Sequence, residues 1–155
     1  REKREAAAVL GYKSLTILHR PEGELDNDMA LREQQVRQIR QFRPDAVATH
    51  DPRVIVSDDG YVNHVDHRAC GEAAIDAVQP AAANSLAFSG QLRSEGLEPH
   101  AVGALYLFWS ERPSLTVVIG DALDAKRRAL AIHASQRQHE VTGADERFAR
   151  IELRR

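Results

Sequence analysis

Pro44 fixes the most informative boundary in the chain. Residues 29–43 before it carry apolar side chains at helical spacing, with Leu31, Ile39 and Phe42 on one face and Met29 and Val36 beside them. A residue that precedes proline is pushed out of helical geometry, so a helix here must stop. Two short apolar runs, 14–18 and 46–49, flank it and suit buried strands. Strand, helix, strand is a βαβ unit, and its crossover makes the two strands parallel neighbours. The pattern therefore predicts an α/β fold with 14–18 and 46–49 parallel in one sheet and the helix packed across it.

The rest of the pattern extends that layer. Residues 2–10 are good helix formers ended by Gly11 at a C′ position. Pro21, Gly23 and Asp26-Asn27-Asp28 supply turn and N-cap chemistry ahead of the second helix. A further helix is expected over 66–78, stopped near Pro80, and a last one over 122–139. Strands are expected at 104–109 and 115–119, joined through 110–114 by either a hairpin turn or a wider connection. Residues 79–100 are poor in pattern and expected to be irregular, and the C-terminal tail gives no assignment. No internal repeat, low-complexity linker or domain boundary interrupts the chain, so a single domain is expected.

Composition narrows the partners. With 155 residues there is enough chain for one real core. A net charge of −2, with 21 basic residues spread among 23 acidic ones, gives no general attraction to nucleic acid or anionic lipid. No apolar run approaches the roughly 18 residues of a membrane span. One cysteine, Cys70, excludes an internal disulfide and a thiolate-rich zinc site, and suits a reducing cytoplasm. The opening Arg1-Glu2-Lys3-Arg4-Glu5 is no signal peptide, and it points to a fragment that begins inside a helix.

Ligands of open parallel sheets bind beyond the carboxyl ends of the strands. The second expected strand ends at Thr49-His50-Asp51-Pro52, and a long loop rich in Asp, Pro and Gly leads from it to Asn63-His64-Val65-Asp66-His67-Arg68. This is the densest group of metal-competent side chains in the chain. The spacing of His64 and His67 at a helix start can put two imidazoles on one side of a cavity, and Asp66 can accept a ring N–H and fix a tautomer. The plainer alternative is a polar helix start with locally satisfied histidines. His50 belongs either to the same pocket or to a satisfied strand end. His19 and His100 are expected in solvent, and Cys70 as a small buried helix residue. Trp109 is expected to cap the core or to stack on a sugar.

These residues resemble the H-P-D-H-x-A-x-G signature of the PIG-L/LmbE-like deacetylases, here His64-Val65-Asp66-His67-Arg68-Ala69-Cys70-Gly71. Three more matches follow the family's order. Glu2, Ala6 and Leu10-Gly11 fit E-x-x-x-A-x-x-x-L-G, and Arg43-Pro44-Asp45 through Thr49-His50 fits R-P-D-x-V-x-T-H. Lys126, Ala129-Leu130, His133 and Ser135-Gln136 fit K-x-x-A-L-x-x-H-x-S-Q. The resemblance implies a Rossmann-like three-layer α/β domain with a mainly parallel sheet. It also implies zinc-dependent removal of N-acetyl groups from an N-acetylated amino sugar or glycoconjugate, with a homo-oligomer left open. His67 would be a zinc ligand, His64 would stabilise the oxyanion or protonate the leaving amine, and Asp66 would orient it. His50 and His133 would face substrate.

Two departures from the family pattern stand out. Val65 replaces the usual proline, and no A-H-P-D-D-E motif, which supplies two further ligands and the general base, occurs in the sequence. Residues 1–155 are therefore expected to be a partial deacetylase domain, weak in zinc and in activity. Among rivals, the metallo-β-lactamase pattern needs a histidine where Val62 stands, and a nucleotide-binding domain lacks G-x-G-x-x-G. A non-catalytic remnant that binds a sugar or a protein is the remaining alternative.

Overall fold

The computed structural model describes residues 1–135 and 143–154. Its elements are α1 (Glu2–Val9), α2 (Met29–Phe42), β1 (Ala46–His50), α3 (Val65–Asp76), α4 (Ser89–Glu95), β2 (Ala104–Phe108), β3 (Leu115–Val118), α5 (Leu123–Ile132) and β4 (Asp145–Glu152). They form two compact units, Arg1–Leu18 with Thr116–Glu146 and His19–Leu115 with Arg147–Arg155. No helix among the described residues is long and apolar enough to cross a membrane.

The α/β class holds, with four strands in the order β1-β2-β4-β3. β1 and β2 are parallel, with Ala46 opposite Ala104 and His50 opposite Phe108. β2 and β4 are antiparallel, so the sheet among the described residues is mixed. The parallel partner of β1 is thus β2, and the expected strand at 14–18 is absent. A strand exists only through a neighbour's ladder of hydrogen bonds. Apolar content alone does not supply one, and Leu15 and Ile17 stay exposed. β3 lies beside β4, so 110–114 is the wider connection.

In the larger unit, Asp28 caps α2 by accepting the Leu31 N–H at 2.6 Å. Arg43 closes the helix in a left-handed conformation (φ 53°) directly before Pro44. The buried face is Leu31, Val36 and Ile39, whereas Met29 and Phe42 at the helix ends are exposed. Val36 and Ile39 pack with Ala77, Val78, Ala82, Val102, Leu105, Leu107 and Ala149 to form the core. Full burial of such aliphatic side chains contributes about 1.5–3 kcal/mol each. Helix α3 runs on through Ala77 and Val78, then breaks where Gln79 is extended (φ −140°, ψ 117°) ahead of Pro80.

Residues 79–100 are more ordered than their composition suggests, since α4 lies within them. The organiser is Arg40, a buried guanidinium on α2. It donates to the carbonyls of Ala81, Ala82, Asn84, Ala87 and Phe88 and to Gln91 Oε1. A loop carbonyl needs a donor once buried, and one arginine supplies several in a fixed geometry. His100, expected in solvent, is half-buried with Nε2 2.8 Å from the Pro44 carbonyl oxygen.

In the smaller unit, α1 ends as its glycine foretold. Gly11 adopts φ 72°, its N–H donates to the Ala8 carbonyl, and the Tyr12 N–H donates to that of Ala7. Ala6 and Ala7 of α1 and Ala129 of α5 are buried where the two helices pack. Helix α5 stops at Ile132, with His133 as its cap (ψ 55°), short of the expected extent. Residues 136–139 of that expectation lie outside the described residues.

Candidate functional site

The parallel pair positions the site. His50 is the last residue of β1, opposite Phe108 in β2, and the Asp51 N–H donates to the Phe108 carbonyl, carrying the ladder one step further. Helix α3 then brings His67 over His50. The two rings stack with centroids 4.0 Å apart and planes inclined by only 8°. Gly71 makes this approach feasible: a Cβ there would lie 2.5 Å from the His50 carbonyl oxygen. His64 stands 5.5 Å from His67, centroid to centroid. The sequence-derived trio of His50, His64 and His67 is therefore one cluster at the carboxyl edge of the parallel strands.

Both stacked imidazoles are held neutral. Burial, with the neighbouring His67 charge adding to it, pushes His50 down to about 4. His67 is also lowered, by burial first and by His64 second, against an opposing pull from Asp66. The Nδ1 atoms of His50 and His67 are buried without a hydrogen-bond partner. A buried, neutral ring nitrogen with no partner is the donor type a zinc ion takes. Geometry limits this to one of the two. Imidazole lone pairs lie in the ring plane, and stacked, near-parallel rings with centroids 4.0 Å apart cannot both aim at one ion at the roughly 2.0–2.1 Å of a zinc–nitrogen bond. No group of three His, Cys, Asp or Glu side chains among the described residues could hold a metal. These residues match an imidazole ligand in kind without completing a metal site.

His64 caps α3, and its Nδ1 accepts the Asp66 N–H at 3.2 Å. That bond leaves the proton of the neutral ring on Nε2, so His64 presents an N–H donor on its far edge. Asp66 does not accept a ring N–H. Its carboxylate accepts the backbone N–H groups of Gly23 (2.7 Å) and Leu25 (3.1 Å) and lies 3.9 Å from His64 Nδ1. Its pKa is lowered by the Gly23 bond first, then by that from Leu25. In this structure Asp66 ties the 23–25 turn to the start of α3.

Asp51 and Arg53 brace the floor. Asp51 is buried, and Arg53 meets both of its oxygens, Nε to Oδ1 at 2.8 Å and Nη2 to Oδ2 at 2.6 Å. Burial pushes the Asp51 carboxyl up, but the bonds from Arg53 and Ser110 outweigh it and hold the pKa below the usual range. The Cys70 thiol is pushed up, chiefly by burial, and is no candidate nucleophile.

Pattern reasoning left Trp109 undecided and passed over Tyr61. Trp109 follows β2 and is exposed, so it does not cap the core. Its ring meets those of His50 and His67 edgewise, at 5.5 Å each, and that of Tyr61 at 5.8 Å. It also holds φ 58°, a left-handed conformation that costs a bulky side chain about 1–3 kcal/mol. The readable signal was its position, one residue beyond a parallel strand's carboxyl end.

His133 belongs to the smaller unit, where its Nδ1 is 3.8 Å from a Glu2 carboxylate oxygen. There it lines a cavity of about 400 Å³ with Ala6, Leu10, Lys126, Leu130 and Glu146 among its walls. Glu2 also accepts from the Ser135 N–H and hydroxyl at 3.1 and 2.6 Å, tying two of the sequence motifs together.

Fold and site together define an α/β domain with an imidazole cluster at the carboxyl edge of its parallel strands. Residues 1–78 match the family model described as PIG-L: GlcNAc-PI de-N-acetylase, and the chain belongs to that family. It is 31% identical over 140 residues to a diacetylchitobiose deacetylase of Thermococcus kodakarensis, an alignment covering 90% of this chain and 50% of the relative. It also resembles the solved N,N′-diacetylchitobiose deacetylase of Pyrococcus horikoshii, at 28% identity and a TM-score of 0.77 over 88% of this chain and 49% of that one. A conserved protein of Thermus thermophilus is similar at 26% identity and a TM-score of 0.67, over 87% of this chain and 56% of that one. The chain spans about half the length of the relatives it matches.

Proposed function

We propose that this chain is part of a zinc-dependent amide hydrolase that removes N-acetyl groups from N-acetylglucosamine-containing sugars, with diacetylchitobiose as the model substrate. The observation that carries the proposal is the neutral His50–His67 stack, with unpartnered Nδ1 atoms at the carboxyl end of β1, within the family-matched residues. In the reaction water adds to the acetyl carbonyl carbon, the C–N bond breaks, and acetate and a free sugar amine leave. His67 would offer one imidazole to zinc, with the remaining ligands coming from outside the described residues. His64, whose Nδ1 is taken by the Asp66 N–H, would use its Nε2–H to donate a hydrogen bond to the oxyanion or a proton to the departing amine. His50 would hold the His67 ring from beneath, and Asp66 would fix the start of α3. His133 would be a substrate-facing residue of the cavity it lines in the smaller unit. The lone Cys70 suits a cytoplasmic setting.

The test measures acetate and amine release from N,N′-diacetylchitobiose by the whole product of the gene, with and without a chelator. Chelator-sensitive release that disappears in His67→Ala is the expected result. Release that persists in both would assign the chemistry elsewhere.

A further inference from the structure

The proposed reaction gives no role to Trp109 and Tyr61, although they adjoin its site. Both are substantially open, Trp109 at 56% and Tyr61 at 47% exposure, and their rings stand at 90° to each other. Tyr61 is not adrift. It sits in a small loop closed by the Val56–Val62 bridge, and its carbonyl accepts the Ser57 N–H at 2.9 Å. The same loop is tied back by the Asp58 N–H donating to a Glu111 carboxylate oxygen at 3.2 Å. Ile55, Val56 and Val62 add exposed apolar surface along it.

Backbone strain at Trp109 points the same way. A tryptophan at φ 58° persists only where its surroundings over-determine it, and such positions gather at binding sites. A purely structural role would bury the residue, yet Trp109 is exposed. The indole stands nearly perpendicular to the imidazole pair, at 81° to His50 and 78° to His67. The stack and the indole thus meet as two walls of one corner.

We propose that Trp109 and Tyr61 form a stacking subsite for a second pyranose ring, next to the N-acetylated ring at the histidines. This extends the deacetylase reading and rests on it. The ligand class is a β-linked disaccharide of gluco configuration. Its equatorial substituents leave axial C–H groups on both ring faces, flat apolar surfaces that match an aromatic ring. A lone N-acetylglucosamine would reach only the imidazole wall, so Trp109 and Tyr61 select for chain length.

Trp109 is the sole tryptophan of the chain, so its fluorescence reports the subsite directly. Titration with N,N′-diacetylchitobiose should give a saturable change in emission, at about tenfold lower concentration than N-acetylglucosamine requires. In calorimetry, Trp109→Gly and Tyr61→Ala should bring disaccharide affinity down to the monosaccharide level, while Trp109→Phe keeps most of it. Glycine accepts φ 58° freely, so Trp109→Gly should fold, which circular dichroism checks. Equal affinity for one and two sugar rings, or unchanged disaccharide binding in Trp109→Gly, overturns the subsite. Amine release, and its KM, are followed in parallel with the whole product of the gene carrying the same substitutions. Release with unchanged KM in Trp109→Gly would overturn the subsite and leave the deacetylase reading intact. Binding that depends on Trp109 without any amine release would uphold the subsite and overturn that reading.

Discussion

The α-carbon of Gly71 faces the carboxyl end of β1 so closely that a Cβ would lie 2.5 Å from the His50 carbonyl oxygen and 3.2 Å from Pro52 Cδ. The obstacle is backbone, which cannot rotate aside as a side-chain tip can. Gly71→Ala should therefore push α3 off β1, destabilise the fold by about 1–3 kcal/mol and separate the His50 and His67 rings. Gly90→Ala is the control, because nothing lies within 4 Å of its added carbon in helix α4. It should be neutral or stabilising by about 0.5–1 kcal/mol. Urea denaturation of the two variants, with imidazole ring-to-ring NMR contacts, checks both expectations. Equal stability of the two would refute the close approach.

Arg40 is the second structural dependency. Arg40→Met keeps much of the volume but removes every donor that faces the carbonyls of Ala81, Ala82, Asn84, Ala87 and Phe88. Buried carbonyls left unpaired cost about 1–3 kcal/mol each when water cannot reach them. The expected loss is on the order of 3–5 kcal/mol, comparable with breaking a buried ionic contact. Arg40→Lys should rescue little, since an ammonium cannot span so many acceptors. Hydrogen exchange should show the loss concentrated in residues 81–95, and exchange spread evenly over the protein would contradict the assignment.

Much of this was written in the chain, and the exceptions share a cause. Asp28, Gly11 and Pro44 marked helix ends correctly because capping and φ restriction are local. The His64–His67 cluster was placed at a strand's carboxyl end because loop length and strand periodicity are also local. Strand 14–18 failed because a ladder needs a partner that no local pattern reveals. β4 was missed because Asp145, Glu146, Arg147, Arg150 and Glu152 mask the alternation of Phe148 and Ala149 with their neighbours. Arg40 looked like an ordinary helix charge, since its acceptors come from residues some forty positions away. The same holds for Asp66, whose backbone donors at 23 and 25 are distant in sequence and took the carboxylate that the rings were expected to use.

Acid should attack the floor of the site through Asp51. Its folded pKa is below the ordinary value of 3.8, so it contributes stability that is fully present above 3.8 and lost as pH falls through the folded value. Arg53→Gln removes the bidentate partner but leaves the burial that opposes ionisation. The carboxyl pKa should then rise, and the acid unfolding midpoint should move to higher pH. At pH 7 the variant should be less stable by about 1–3 kcal/mol. Denaturant midpoints measured from pH 7 to pH 3 test this, and an acid limb unchanged by Arg53→Gln would show that other groups control it.

Metal binding by the 155-residue chain itself separates the roles of the stacked histidines. A complete catalytic zinc site has three protein ligands and a water. Among the described residues no three suitable side chains gather, and the near-parallel planes of His50 and His67 keep their lone pairs from converging. Zinc should therefore bind this chain with far less than the roughly 10–16 kcal/mol of complete structural sites. What binding there is should vanish in His67→Ala and survive in His50→Phe, which keeps a flat ring beneath His67 while deleting its nitrogens. Deacetylation of N,N′-diacetylchitobiose by the chain alone should be negligible, since the sequence has no A-H-P-D-D-E motif to supply the family's general base, and loss of a general base lowers rates by about 10²–10⁴. In the whole gene product, His64→Gln should retain zinc and lose turnover, because His64 acts through its Nε2–H and not as a ligand. Calorimetric zinc titration paired with amine release reads all three variants. Tight one-to-one zinc in the 155-residue chain that persists in His67→Ala would place the metal site away from the α3 histidines.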